Sequence, residues 1–186
     1  LLNPGFEEGT FTFNSGTIRG AIAAFFTDNT DWAGNEVQLQ YYIDTDTPRS
    51  GNRALCINVI QGFSQTAQWV EQLPTGRRYS LSLWARVVSA DGAVPVQLGL
   101  RKMGEDYDLY GDVTQSIDAA AGWVQLVVPG VLLPAAASTT GSLATGFMFW
   151  IRGTGTVCFD DASLREVIPV PGKAQQLMLD SFQPAL

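Results

Sequence analysis

The chain has 186 residues, 46% hydrophobic and 16% charged, which is enough for one domain with a buried core and too apolar for a disordered acidic chain. A balance of 11 Lys and Arg against 18 Asp and Glu leaves a net charge of −7. This disfavours nucleic acid and polyanionic polysaccharides as partners, since both need an excess of cations. Histidine is absent, which excludes Ser-His-Asp and Cys-His nucleophile systems, His-ligated zinc and imidazole pH switches.

In chain order, the sequence opens on Leu1 without a basic segment and apolar signal region, and reads as an excised or processed module. No apolar run reaches the ~18 residues of a membrane-spanning helix. Candidate strands are 18–26, 37–44, 53–60 and 66–72, followed by 79–88, 94–102, 123–128, 143–152 and 156–166. These are short, β-branched or aromatic, and largely alternating. Turn clusters such as Leu73-Pro74-Thr75-Gly76, Ala90-Asp91-Gly92 and Gly153-Thr154-Gly155 separate them. Only 115–121 and 134–138 tempt a helix assignment, and both are short. The pattern predicts an all-β fold, a two-sheet antiparallel β-sandwich. From Val167 the texture changes to Ile168-Pro169-Val170-Pro171-Gly172, a stiff Pro-containing linker. The expected division is a β-sandwich module over 1–166 and a linker with C-terminal tail over 167–186.

Four segments carry a resemblance. Leu2-Asn3-Pro4-Gly5-Phe6-Glu7-Glu8-Gly9 resembles the opening of carbohydrate-binding modules with a jelly-roll, galactose-binding-like fold. Phe159-Asp160-Asp161-Ala162-Ser163-Leu164 resembles their closing strand. Between them, Ser50-Gly51-Asn52-Arg53-Ala54-Leu55 and the stretch from Leu73 to Arg86 resemble two further markers in the family order. The nearest groups are the xylan- and glucan-binding modules attached to glycoside hydrolases. One departure is the stretch Thr10–Asn29, which precedes Trp32 where relatives reach a Trp sooner. It reads as an extra strand or as a loop over the binding face.

The resemblance implies a structural Ca²⁺ held by the Glu7 carboxylate, the Gly9 and Asn52 carbonyls and Asp160. These are hard oxygen donors of the kind calcium takes. The alternative is that these acidic groups are solvated carboxylates at strand ends. Alternation leaves Cys56 and Cys158 pointing away from the core. If Asn52 and Asp160 meet at calcium, the two cysteines lie within one diagonal step. A disulfide between them would suit an oxidising setting, and two unpaired thiols are the alternative.

Strand parity then predicts a binding face. With Leu81, Leu83, Ala85 and Val87 in the core, Ser80, Ser82, Trp84 and Arg86 face away. The same reasoning leaves Gln97, Gly99 and Arg101 outward on the next strand, and Met148, Trp150 and Arg152 on 147–152. One face would present Trp84 and Trp150 among Arg86, Gln97, Arg101 and Arg152, with Tyr107 and Tyr110 at its rim and Phe63 opposite. Gly99 would leave room for a ligand or a neighbouring ring, and Trp69 and Trp123 are assigned to the core. Aromatic rings stack on sugar C–H faces while amides and guanidiniums bind hydroxyls. In the family, Trp150 falls where relatives carry a cleft aromatic. Arg152 falls where a xylan binder would carry an acid, which argues against assigning xylan.

The expected function is a non-catalytic carbohydrate-binding module of a secreted, bacterial, multidomain protein. It would hold a neutral polysaccharide and keep a fused catalytic domain near its substrate. The competing reading is a structural or adhesion module without a glycan. A small glycosidase would need two carboxylates flanking a cleft, which the expected face lacks.

Overall fold

The computed structural model describes residues 1–70, 73–102, 109–134 and 145–168. Two sheets face each other. The larger runs, in spatial order, through β1 (Thr10–Ser15), β2 (Ile18–Ala23), β4 (Gln38–Asp44), β5 (Ala54–Gln61), β12 (Gly155–Glu166), β7 (Arg77–Ser89) and β10 (Val124–Leu133). The smaller runs through β3 (Thr27–Asp28), β6 (Ser64–Val70), β11 (Thr145–Ile151), β8 (Val94–Lys102) and β9 (Leu109–Ile117). Neighbours pair antiparallel except β2 and β4. The expected β-sandwich is the observed fold.

Alternation is clearest on β7, where Tyr79, Leu81, Leu83, Ala85 and Val87 are buried and the residues between them are partly exposed. On β11 every residue is buried. Phe147, Phe149 and Ile151 face the core between the sheets, while Met148 and Trp150 form a separate small cluster with Ala67 on the other face. Phe6, Phe26, Phe149 and Phe159 follow one another through the core, with successive ring centroids 4.8, 6.0 and 4.5 Å apart. Each such buried ring contributes about 1.5–3 kcal/mol over an exposed one.

The opening marker has a physical basis in this fold. Asn3 is buried, accepts Glu8 N at its Oδ1 (2.8 Å), and donates from Nδ2 to the carbonyls of Glu8 and Ala24. This clamp holds Phe6 at a left-handed φ of 57° with its ring fully buried.

Of the two readings of the stretch Thr10–Asn29, strand is the one observed: it forms the β1–β2 hairpin at one edge of the larger sheet, plus the short β3 at the edge of the smaller one. Other expectations change. The segment 115–121 enters β9 as far as Ile117, with a three-residue 3₁₀ turn at Ala119–Ala121. Trp69 and Trp123 lie outside the core. Trp69 packs beside Met148 and Trp150, and Trp123 sits on the outer face of the larger sheet, beneath Arg86. Large size alone does not distinguish a core ring from a ring packed on the back of a sheet. Most of 134–138, and the tail beyond residue 168, lie outside the described residues.

Candidate functional site

The residues expected to share one face occupy opposite faces of the molecule. Trp84 and Arg86 project from β7 on the outside of the seven-stranded sheet, while Gln97, Arg101, Trp150 and Arg152 lie on or beside β8 and β11 of the five-stranded sheet. Parity reports inward against outward, and the short turn from β7 to β8 carries the chain from one sheet to the other. That crossing corrects the single-face expectation.

On the five-stranded sheet, cross-strand register aligns Gln65, Trp150, Gln97 and Thr114 in one row. A second row holds Ala67, Met148, Gly99 and Asp112, and a third holds Trp69, Gly146 and Arg101. The Trp150 ring is not an open platform, because it is only 2% exposed. The Arg152 guanidinium lies 5.4 Å from its ring centroid. Trp150 Nε1 donates to the Gln65 amide oxygen (2.5 Å), whose nitrogen donates to the Asn29 carbonyl (2.8 Å).

Arg152 donates from Nε (3.0 Å) and Nη2 (2.6 Å) to Gln97 Oε1, and Gln97 Nε2 donates to Asp112 Oδ2 (2.7 Å). Burial lowers the Arg152 pKa, Asp112 opposes this and Arg101 reinforces it. Arg101 reaches Met148 Sδ at 3.9 Å. A Cβ at Gly146 would meet the Trp69 ring at 2.9 Å, so this glycine gives the indole room to lean across the sheet. The space expected above Gly99 is occupied by Asp112 and Leu109 of β9. Tyr110 packs against the main core rather than forming a rim, and Tyr107 lies outside the described residues.

The exposed aromatic surface comes from residues that parity does not rank. Trp32, 69% exposed, is carried by the 3₁₀ segment Asp31–Glu36 and packs on the half-buried Phe63, with ring centroids 5.7 Å apart. Its indole nitrogen lies 3.4 Å from the Gln65 amide, at the end of the Trp150 row. Gly62 makes this pairing possible. Its φ is 79°, and a Cβ there would stand 2.6 Å from the Glu36 carbonyl. The available signal is a large ring in a polar segment lacking alternation.

The outside of the seven-stranded sheet is covered differently. The Arg49 guanidinium stacks 3.9 Å above Trp84 and pairs with Asp161. Arg86 lies 5.0 Å from the Trp123 ring and donates to Asp44 (3.2 Å) and Thr47 (2.6 Å). Between β7, which carries Trp84, and β4 lies a Cys56–Cys158 disulfide, its half-cystines directly opposite in register and fully buried. A polar groove of about 600 Å³, lined in part by Ser80, Ser82, Gln125 and Ser163, runs along the same sheet.

The residues expected at calcium gather largely at one loop. Glu7 Oε1 accepts Asn52 N (2.8 Å) and Arg53 N (3.1 Å). Gly51, at φ 60°, is the residue that admits this carboxylate, since a Cβ there would overlap Glu7 Oε1. Asp160 is fully buried; its Oδ2 accepts Arg49 N (2.9 Å) and Ser50 N (3.1 Å), and its Oδ1 accepts Asp161 N (2.8 Å). Burial raises the Asp160 pKa against these donors. The Gly9 carbonyl accepts Ala24 N (3.2 Å). Both carboxylates therefore already tie the first and last segments of the sandwich to the 49–53 loop.

Comparison with solved structures places this architecture. A family 4 carbohydrate-binding module superposes with a TM-score of 0.59 at 15% identity, over 89% of this chain and 98% of that one. The fold is that of the jelly-roll carbohydrate-binding modules. The family 22 xylan-binding domain from Paenibacillus barcinonensis gives 0.57 at 12% identity, over 89% and 93%. An arabinose-bound α-L-arabinofuranosidase gives 0.62 at 15% identity, with 89% of this chain covering only 26% of that enzyme. No protein-family profile and no curated protein matches the sequence.

Proposed function

We propose that this chain is a non-catalytic carbohydrate-binding module that holds a neutral polysaccharide across the outer face of its five-stranded sheet. The observation that carries the reading is the exposed Trp32, seated on the half-buried Phe63, at the end of the row that holds the largely buried Gln65 and Gln97 amides, with the Arg152 guanidinium bonded to Gln97. Rings take the C–H faces of sugars while planar polar groups bind hydroxyls in defined directions. Trp150 then serves as a buried support beneath Arg152. On the strand positions of this face, Asp112 is the one carboxylate among the described residues, and it is engaged by Gln97. Glycoside hydrolysis ordinarily needs two.

The module works by tethering, raising the local concentration of a fused enzyme at its substrate in a secreted protein. The buried disulfide supports an oxidising setting. The competing reading, a structural or adhesion module, draws on the burial of Trp150 and its stacking with Arg152. Affinity gels containing mixed-linkage β-glucan, xylan or β-1,4-galactan separate the two. Retardation that is lost in W32A supports the glycan reading, and free migration in every gel removes it.

For the metal, the proposal is a structural Ca²⁺ at the 49–53 corner, held by Glu7 and Asp160 with the Gly9 and Asn52 carbonyls. It is supported by the convergence of both carboxylates on one loop from opposite ends of the chain. An ion there would supply charge neutralisation and cross-linking, with no part in chemistry. Titration of chelator-treated protein should show calcium binding and a raised melting temperature. Neither effect would leave the N–H groups as the sole partners of the two carboxylates.

A further inference from the structure

Trp32 stands on a short 3₁₀ segment, Asp31–Glu36, that is kinked at Gly34 by a non-helical φ of 55° and whose N-cap, Thr30, makes no side-chain cap hydrogen bond. So short a helix has little stability of its own. Its anchor is a buried carboxylate on β3. Asp28 Oδ2 accepts Thr30 N (2.9 Å) and Asp31 N (3.1 Å), the two amides that lead into the segment. Asp28 Oδ1 accepts the Tyr41 hydroxyl (2.6 Å), which also lies 3.1 Å from Thr66 Oγ1. Tyr41 belongs to β4 of the opposite sheet, so this contact crosses the core. Thr30 Oγ1 in turn accepts Gln65 N (2.8 Å) and donates to the Gln65 carbonyl (3.2 Å). Those bonds fix the Trp32 segment to the strand that carries the Gln65 amide.

We propose that Asp28 is a positioning residue for the Trp32–Phe63 platform, acting by hydrogen bonds anchored through Tyr41 on the opposite sheet rather than by its charge. The functional consequence rests on the glycan-binding reading above, but the geometric claim does not. Burial pushes the Asp28 carboxyl above its usual range, while the Tyr41 and Thr30 hydrogen bonds and the Asp31 charge modulate it. A proton on Oδ1 can be absorbed locally. The carboxyl then donates to the Tyr41 oxygen, Tyr41 donates to Thr66, and Oδ2 keeps both backbone amides. An Asn can do the same, with Nδ2 toward Tyr41 and Oδ1 toward Thr30 and Asp31. An Ala cannot.

The test follows the indole N–H resonances of the five tryptophans by two-dimensional ¹⁵N–¹H NMR, with W32F assigning Trp32. In folded D28A the Trp32 resonance should shift or broaden while those of Trp84 and Trp123 stay in place. Its affinity for whichever of mixed-linkage β-glucan, xylan or β-1,4-galactan the parent binds should fall about tenfold, less than the full loss of an aromatic hot spot. D28N should restore the resonance and bring the affinity to within about twofold of the parent. Should D28A not fold, Y41F replaces it, with the same displacement of Trp32 expected. An unmoved Trp32 resonance in the folded variant overturns the proposal, as does a D28N that behaves like D28A. If the parent binds none of the three glycans, the function reading fails alone, because the indole spectra still decide whether Asp28 positions Trp32.

Discussion

The two outer faces of the sandwich are built from similar residues yet differ in what they leave available. On the seven-stranded sheet, Trp84 is capped by Arg49 and Trp123 by Arg86, with Asp161 and Asp44 neutralising the two cations. Each of these rings and guanidiniums has its partner within the chain. On the five-stranded sheet, Trp150 is satisfied in the same way by Arg152, but Trp32 remains open at the end of its row, over a half-buried Phe63. Rings and cations on a sheet therefore do not by themselves make a binding surface. What matters is whether another side chain lies over the ring, from a loop as with Arg49, from a neighbouring strand as with Arg86, or from the end of the same strand as with Arg152.

The largest expected effect probes the face whose rings are capped. The disulfide joins residues separated by 102 positions, so C56A/C158A should lose about 2–5 kcal/mol in denaturant unfolding. At a temperature where the variant stays folded, glycan affinity should be unchanged, since the bridge lies on the opposite sheet. Next, W32A should weaken glycan binding by about 1–3 kcal/mol with little change in melting temperature, whereas W84A should leave affinity intact. Equal losses in both variants would collapse the distinction between the faces.

A smaller effect concerns pH. The folded state holds the Asp28 proton more tightly than an unfolded Asp with its ordinary value of 3.8. Native protein thus binds more protons than unfolded protein, and stability declines as pH rises from below 3.8 through the raised folded value, then levels off. The melting temperature of the parent relative to D28N should fall across that window, and a flat difference would contradict the burial of the charge. Smallest of all, E166Q removes the exposed Arg77–Glu166 pair (2.5 Å) at the end of β12 and should leave the melting temperature unchanged within error.

Much of the fold was legible because burial imposes a period of two on each strand. Leu81, Leu83, Ala85 and Val87 declare an inward face without any tertiary information. The markers Asn3 to Glu7 and Phe159 to Asp161 were legible through the family resemblance, and the fold gives each a physical role. Asn3 clamps a turn, Phe6 and Phe159 fill the core, and Glu7 and Asp160 hold one loop. The candidate site was less legible. Trp32 sits in a segment with no alternation, and Asp28 is, by sequence, an ordinary polar residue in the stretch before it. Its role depends on Tyr41, which arrives from another sheet.

The sequence by itself determined the sandwich, the outward direction of both cysteines and of Trp84 and Trp150, and the absence of imidazole chemistry. These follow from alternation and composition, which are properties of neighbouring residues. Only the tertiary structure decided which sheet each outward residue belongs to, that Trp150 is covered while Trp32 is open, and that Asp28 and Tyr41 meet across the core. The physical reason is that a pleat sets a side chain's direction, whereas accessibility is set by whatever distant segment packs above it.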